Sequence, residues 1–281
     1  MIDTMYLKIT ENCNLSCPFC YVKQKQNVIS FETAVSAIEA YQPKEVIFHG
    51  GEPLLHPKRT LEIIDRFPSQ VFSITSNLTL PLTDERMEIL ERCYVATSYS
   101  ADRFSNSELE QIFKKNVAKV RETEDVTLLV TLSEKQLEMP PVELIRKLDE
   151  IGYDSILFER MYAAGLDKAF AEKMDMYLLE LMKALPDARK NYLYDQMMES
   201  IISYTYLFPL TCDRNVVTVN PDGSILSCPN LCHRAERKKR RECLECNFYQ
   251  YCRGDCLSFQ DCCMFPKKTI TYLKEEILGW Q

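Results

Sequence analysis

The sequence lacks the marks of membrane, secreted and general nucleic-acid-binding proteins. No uninterrupted apolar run approaches the length needed to cross a bilayer. The first five residues show no basic stretch followed by an apolar segment and a small-residue cleavage site. Lys plus Arg number 34 against 41 for Asp plus Glu, so the net charge of −7 offers no positive excess for a phosphate backbone. The expected location is the cytoplasm.

Cysteine, by contrast, is abundant, with 13 residues in a chain of 281. In a secreted chain they would indicate disulfides, but without a secretion signal metal binding is favoured. Three cysteines lie at residues 13–20, one is Cys93, and nine lie between residues 212 and 263. The two blocks predict two cluster-bearing regions, and Cys93 is predicted to be a core residue.

The first block follows an apolar segment and has the spacing C-x3-C-x2-C, at Cys13, Cys17 and Cys20. Such spacing alone could be a zinc site or a disulfide scaffold. A structural zinc site has four closed ligands, however, and this loop offers no fourth Cys or His nearby. Three thiolates can instead hold three irons of a cubane cluster and leave the fourth iron open. That open iron would be the reactive centre.

A second motif, His49-Gly50-Gly51-Glu52-Pro53, ends the next apolar run. Together with the cysteine loop, it resembles the radical S-adenosylmethionine (radical SAM) superfamily. The resemblance implies that the three cysteines ligate a [4Fe–4S] cluster whose open iron is chelated by SAM. It further implies a SAM-binding role for five residues of the two motifs: Phe19 near the adenine, and Gly50, Gly51, Glu52 and Pro53 along the methionyl amine. Phe19 could also be a packed loop aromatic, and Glu52 could orient that amine or buttress the loop.

Strand and helix patterns alternate through the first 160 residues. Strands are predicted at about 5–10, 45–49, 71–75, 95–100, 126–132 and 155–158, and the intervening stretches read as helices, the first capped by Ser30. Six such alternations imply parallel pairing with helical crossovers. The expected fold is α/β, an open partial (β/α)6 barrel of the kind that radical SAM enzymes share. Periodicity alone would not separate this barrel from a doubly wound sheet.

Polar residues follow several predicted strands, where active sites of related barrels lie. Ser76 and Asn77 end the third strand. Ser100 and Asp102 end the fourth, in a segment that resembles the family's Ser-x-Asp contact to the SAM ribose and carboxylate. The alternative for all four is capping of the next helix, a routine role of Ser, Asn and Asp.

An Arg often follows the Ser-x-Asp segment in relatives, and Arg103 and Arg160 are the candidates for it here. Glu159 and Arg160 resemble a Glu-Arg segment of the family and would face the cleft. The alternative is an ordinary ion pair at the barrel rim.

From residue 168 to about 208 the pattern is helical and predicts two helices that pack over the barrel. Residues 216–219 and 225–227 read as a β-hairpin around the turn Asn220-Pro221-Asp222-Gly223. We therefore expect three parts: a barrel at 1–165, bridging helices at 166–210 and a cysteine-rich domain at 211–281.

The second cysteine block combines C-x10-G-x4-C with C-x2-C-x5-C-x3-C and a closing Cys pair. This pattern resembles the SPASM extension of radical SAM peptide-modifying enzymes, which carries two auxiliary [4Fe–4S] clusters. The first cluster would take Cys212, Cys228 and Cys256, with its fourth position open or filled by Cys232. The second would take Cys243, Cys246, Cys252 and either Cys262 or Cys263. The alternative is a pair of zinc knuckles.

The resemblance implies an enzyme that generates a 5′-deoxyadenosyl radical and oxidatively modifies a ribosomally made peptide, by a crosslink, a thioether or a dehydrogenation. The catalytic base is not identified. No separate leader-binding domain is expected before the barrel, so the peptide would be recognised by the barrel, a partner or the basic run at residues 233–241. That run could instead dock a flavodoxin or ferredoxin reductant, or be a solvated loop.

Three alternatives remain. An anaerobic sulfatase-maturating enzyme is disfavoured because Pro229, rather than the Asp of those relatives, follows Cys228. A small-molecule dehydrogenase acting on a carbohydrate fits the chain length. A non-catalytic iron–sulfur electron carrier would have no need of the segment from Gly50 to Pro53.

Overall fold

A parallel sheet with helical connections forms the scaffold. The computed structural model describes residues 2–160, 167–188, 197, 215–226, 246–247 and 266–277. Its strands are β1 (Ile2–Thr10), β2 (Pro43–Gly50), β3 (Val71–Ser76), β4 (Tyr94–Tyr99), β5 (Val126–Leu132), β6 (Ser155–Arg160), β7 (Val216–Val219) and β8 (Ile225–Leu226). Its helices are α1 (Phe31–Tyr41), α2 (Pro57–Arg66), α3 (Asp84–Glu91), α4 (Ser107–Val120), α5 (Pro141–Ile151), α6 (Lys168–Ala188) and α7 (Lys267–Tyr272). Short 3₁₀ turns lie at Pro53–Leu55 and Gln136–Glu138, and a π-helical turn at Leu273–Ile277 follows α7.

The strands form one sheet in the order β6-β5-β4-β3-β2-β1-β7-β8. Neighbours from β6 to β1 pair in parallel, which confirms the predicted α/β alternation. Within the described residues the sheet is open, with β6 and β8 at its edges. The C-terminal ends of the six strands β1 to β6 therefore lie along one edge of the sheet.

The two faces of the sheet differ in polarity because side chains alternate along each strand. One face packs against the helices and contributes the apolar core, including Met5, Leu7 and Phe48. The other face, here named the polar face, carries Tyr6 and Lys8 of β1 and the residues in register with them. In the ladders, Lys8 pairs with His49 and Tyr6 with Thr218.

Local signals place the helix starts. Ser30 accepts a hydrogen bond from the Thr33 N–H, which confirms the predicted cap of α1. The buried carboxylate of Asp175 on α6 accepts from the N–H groups of Lys268 and Thr269, and so fixes the start of α7. None of the helices in the described ranges is long and apolar enough to cross a membrane.

The predicted hairpin is present as antiparallel β7 and β8. Its turn is closed by a 2.9 Å hydrogen bond from the Gly223 N–H to the Asn220 carbonyl, and Gly223 takes a φ of +81° that suits glycine. Strand β7 also pairs in parallel with β1, which makes the hairpin part of the main sheet. The division of the chain at residues 165 and 210 stays a prediction.

Candidate active site

The three-cysteine loop begins directly after β1. The Thr10 hydroxyl donates to the Asn27 carbonyl at 2.5 Å and accepts from the Asn12 N–H at 3.0 Å, which anchors the loop's first turn. Cys13 and Cys17 are half-buried, Cys20 is exposed, and none of the three is in a disulfide. The disulfide interpretation of the loop is therefore wrong for this structure.

Burial raises the pKa of the Cys13 and Cys17 thiols, and the positive charge of Arg103 opposes this effect at both. The thiols are close enough to act on one another, Cys17 on Cys13 and Cys20 on Cys17. Even so, no group of three or more Cys, His, Asp or Glu in the described ranges converges on a single metal-ion position. A zinc ion needs its thiolates at about 2.3 Å from one point, whereas each cubane thiolate binds its own iron. Three free thiols on one loop suit a cluster that takes one thiolate for each of three irons.

Gly50 and Gly51 bring the end of β2 against this loop. A Cβ on Gly50 would lie 2.1 Å from the Thr10 carbonyl oxygen, and one on Gly51 2.0 Å from that of Asn12. The Gly51 N–H donates to the Thr10 carbonyl at 2.8 Å. The glycines are needed because the backbone of the cysteine loop occupies their side-chain positions. Their expected contact with the SAM amine stays a prediction.

Glu52 is 1% exposed and serves as a structural carboxylate. Its Oε1 accepts from the Leu54 N–H at 3.0 Å and from the Ser76 hydroxyl at 2.9 Å, and its Oε2 accepts from the Asn77 N–H at 2.7 Å. Burial raises the pKa of Glu52, although these donors work in the opposite direction. These contacts match the predicted buttress role, and Pro53 is buried beside it as the first residue of the 3₁₀ turn.

Asn77 joins the cysteine loop to the end of β3. Its Nδ2 donates to the Cys13 sulfur at 3.6 Å and to Asn14 Oδ1 at 2.8 Å. Its own Oδ1 accepts from the N–H and the hydroxyl of Thr79, at 2.9 and 2.6 Å. These bonds fix the orientation of the Asn77 amide. Its N–H therefore points at the sulfur of Cys13, a predicted cluster ligand.

Ser100 and Asp102 lie at the end of β4 and share a network with two residues that the sequence analysis did not identify. Asp102 Oδ1 accepts from the hydroxyls of Ser100 at 2.5 Å and Ser133 at 2.7 Å. Gln136 accepts from the Ala101 N–H at 3.0 Å and donates its own N–H to the Ser133 hydroxyl. Ser133 directly follows β5, so its position as a polar residue at a strand end is the sequence signal that indicates it.

The helix-capping alternative is wrong for all four polar strand-end residues. Helix α3 begins at Asp84 after the cap residue Thr83, and α4 begins at Ser107 with Asn106 accepting from the Leu109 N–H. Ser76, Asn77, Ser100 and Asp102 instead bond within the loops at the sheet edge. Their contact with SAM stays a prediction.

Arg103 carries positive charge into this site. It acts electrostatically on Cys13, Cys17, Glu52 and Glu159, and so lies near the cysteine loop and the end of β6. Its Nε is buried and has no hydrogen-bond partner in the part of the chain that the structure describes. An orphaned guanidinium nitrogen near the Cys13 and Cys17 thiols fits an anionic group such as the carboxylate of SAM.

Glu159, near the end of β6, is half-buried on the polar face, where burial raises its pKa to about 7. Within the described residues no ion pair engages it. The side chain of Arg160 lies outside the described residues, so both the predicted cleft-facing pair of Glu159 and Arg160 and the alternative ion pair at the rim stay predictions.

Aromatic contacts support the Cys20 end of the loop. The Tyr21 hydroxyl and His49 Nε2 are 2.8 Å apart, and the two rings stack with centroids at 6.5 Å. Burial lowers the pKa of His49 to about 4, so the imidazole is neutral near pH 7. Phe19 packs against the apolar core, as its alternative role predicts, and its contact with adenine stays a prediction.

Of the second cysteine block, only Cys246 lies within the described residues, as a half-buried free thiol. The other predicted ligands are outside them: Cys212, Cys228, Cys232, Cys243, Cys252, Cys256, Cys262 and Cys263. Cys93 is 5% exposed, which confirms its assignment to the core.

Known proteins resemble this chain in the sequence of its N-terminal part and in its fold. The family profile described as "Radical SAM superfamily" matches residues 7–128, which cover the cysteine loop and the strands up to β5. Crystal structures of Streptococcus suis SuiB have a similar fold. One has a TM-score of 0.62 at 14% identity, covering 91% of this chain and 73% of SuiB. A second, bound to S-adenosylmethionine, has a TM-score of 0.59 at 15% identity over 91% of this chain and 71% of SuiB.

Two archaeal relatives are similar over shorter stretches. An uncharacterized protein of Archaeoglobus fulgidus is 30% identical over 108 residues, 36% of this chain and 26% of the relative. One of Methanocaldococcus jannaschii is 38% identical over 73 residues, 23% of this chain and 26% of the relative. The similarity thus spans about a quarter of each relative. The family profile thus matches the N-terminal part of the chain, and the two SuiB structures share its fold.

Proposed function

We propose that this protein is a radical SAM enzyme that oxidatively modifies a ribosomally made peptide. One observation carries the proposal: the three-cysteine loop, the Gly50–Glu52 segment and the orphaned Arg103 nitrogen meet at one edge of a parallel sheet. The matched family profile and the SAM-bound state of one similar SuiB structure support SAM as the cofactor. When bound, the [4Fe–4S] cluster and SAM supply a 5′-deoxyadenosyl radical that removes a substrate hydrogen.

The residues of this chain position those groups. Cys13, Cys17 and Cys20 hold the cluster, and the Asn77 amide donates to the Cys13 sulfur, which stabilises a thiolate there. Arg103 binds the SAM carboxylate through its unpartnered Nε. Asp102 is oriented by two hydroxyl donors on Oδ1, so its second oxygen can accept from the ribose.

The proposal of a peptide substrate, and of a role for the second cysteine block, rests on the resemblance of that block to SPASM extensions. In this proposal, the block would hold two auxiliary [4Fe–4S] clusters, which would supply an acceptor for the electron left on the substrate. A flavodoxin or ferredoxin would be the reducing partner.

Iron content and SAM cleavage test this function. Anaerobically reconstituted wild type should hold about twelve irons per chain and form 5′-deoxyadenosine from SAM and dithionite. The triple variant Cys13→Ala/Cys17→Ala/Cys20→Ala should hold about eight irons and form none. Cys93→Ala removes a buried thiol far from any proposed ligand set and is the matched control, which should keep both values. Zinc in place of iron, or a wild type that cleaves no SAM, would contradict the proposal.

A further inference from the structure

A row of buried polar residues lies on the polar face, beside the cysteine loop, and two of its atoms have no hydrogen-bond partner within the described residues. Lys8 is 1% exposed and lies in β1. Its neighbours in the sheet are His49 of β2 and, on the other side, the start of the turn that follows β7. Thr218 is fully buried and pairs in register with Tyr6, two residues before Lys8. Asn220 follows Val219, which pairs with Leu7, so it lies level with Lys8.

Part of the hydrogen-bonding capacity of this row is unused. The Thr218 hydroxyl oxygen and Asn220 Oδ1 are buried without a hydrogen-bond partner in the described ranges. The Asn220 amide nitrogen is already fixed, because it donates to the Ser224 hydroxyl at 2.9 Å. Native proteins rarely leave buried polar atoms unmatched, so two in adjacent positions point to a missing ligand.

Lys8 is likewise without an ion pair among the described residues. Its nearest acids, Glu11 and Asp222, act on it only at a distance. Glu11 accepts from Asn27 at 2.8 Å and pairs with Lys25 at 3.6 Å, and Asp222 accepts from the Ser224 N–H and hydroxyl. A buried ammonium without an ion pair is costly, and an incoming anion would remove that cost.

We propose that Lys8, Thr218 and Asn220 form a substrate subsite for a carboxylate carried beside an amide N–H, as in an acidic residue of a peptide. Lys8 pairs with the carboxylate, the Thr218 hydroxyl donates to it, and Asn220 Oδ1 accepts the N–H. Lys8 brings a single positive charge and the neutral ring of His49 adds none, which suits a carboxylate better than a dianionic phosphate. The subsite rests on the proposed peptide-modifying function and specifies its substrate as an acidic peptide segment.

Binding of a small probe tests the subsite without knowledge of the full substrate. The probe is N-acetyl-glutamate N-methylamide, and its neutral control is N-acetyl-glutamine N-methylamide, titrated by NMR into the anaerobic full-length protein. Wild type should bind the acid at least about tenfold more tightly than the amide. Lys8→Met should remove this preference, and Lys8→Arg should restore most of it. Lys44→Met removes a surface lysine that pairs with Asp3 and is the matched control, with unchanged binding.

Thr218→Val preserves the shape of the side chain and removes its hydroxyl, so it should weaken binding of the acid about threefold. This variant keeps the test decisive if Lys8→Met does not fold. Equal binding of acid and amide by wild type, or an acid preference that survives both substitutions, would overturn the subsite. Cleavage of SAM by wild type without probe separates the two proposals. Selective binding without cleavage keeps the subsite and removes the radical function, whereas cleavage without selective binding removes the subsite alone.

Discussion

Two carboxyl groups at the same edge of the sheet, Glu52 and Glu159, are held in opposite ways. Glu52, after β2, receives one side-chain and two backbone hydrogen bonds. Glu159, in β6, has no bond of this kind within the described residues, and only the charge of Arg103 favours its ionised form. A carboxylate matched by donors on both oxygens is part of the scaffold, whereas an unmatched one can change its protonation state or take a ligand. The motif residue Glu52 therefore supports the scaffold, while its contact with SAM stays a prediction, and Glu159 is the better candidate for contact with substrate.

Replacing each glutamate with glutamine should separate these roles most strongly. In Glu52→Gln, an NH₂ group replaces an oxygen that accepts from buried donors, so at least one donor loses its partner. We expect the free energy of unfolding to fall by about 3 kcal/mol. Glu159→Gln leaves no donor unmatched and should not lower it. Anaerobic urea denaturation of both variants beside wild type measures the difference, and equal losses would contradict the distinction.

How far the sequence predicts this site can be judged from the same residues. Local patterns place β1 to β6, the Ser30 cap and the hairpin turn correctly, because periodicity and turn chemistry depend on near neighbours. They do not show that β7 pairs with β1, more than 200 residues away in the chain. Nor do they show that Ser133 bonds to Asp102, because that contact joins the ends of two different strands. The capping alternative was wrong for a related reason: a polar residue after a strand has several possible partners, and folding decides among them.

The pH dependence of stability should test the unmatched burial of Glu159 directly. The folded-state pKa of Glu159 is about 7, above its ordinary value near 4.5. The folded protein therefore binds this proton more tightly than the unfolded chain does. Its contribution to stability is complete below about pH 4.5 and is lost as the pH rises to about 7. Glu159→Gln has no carboxyl group to ionise. Its free energy of unfolding should therefore rise by about 2 kcal/mol relative to that of wild type between pH 5 and pH 7.5. Denaturation curves across this range measure the gain, and parallel profiles for the two proteins would place the pKa at its ordinary value.

The smallest expected effect concerns how firmly each end of the cysteine loop is held. Cys13 is supported by the Asn77 amide, whereas the Cys20 end relies on the bond between Tyr21 and His49. Tyr21→Phe removes that hydroxyl and keeps the ring stacked, so the free energy of unfolding should fall by only about 1 kcal/mol. A looser Cys20 should nevertheless broaden the electron paramagnetic resonance signal of the reduced cluster. Tyr41→Phe alters a tyrosine of α1 away from the loop and serves as the control. A Tyr21→Phe spectrum identical to that of wild type would contradict a role for this bond in holding Cys20.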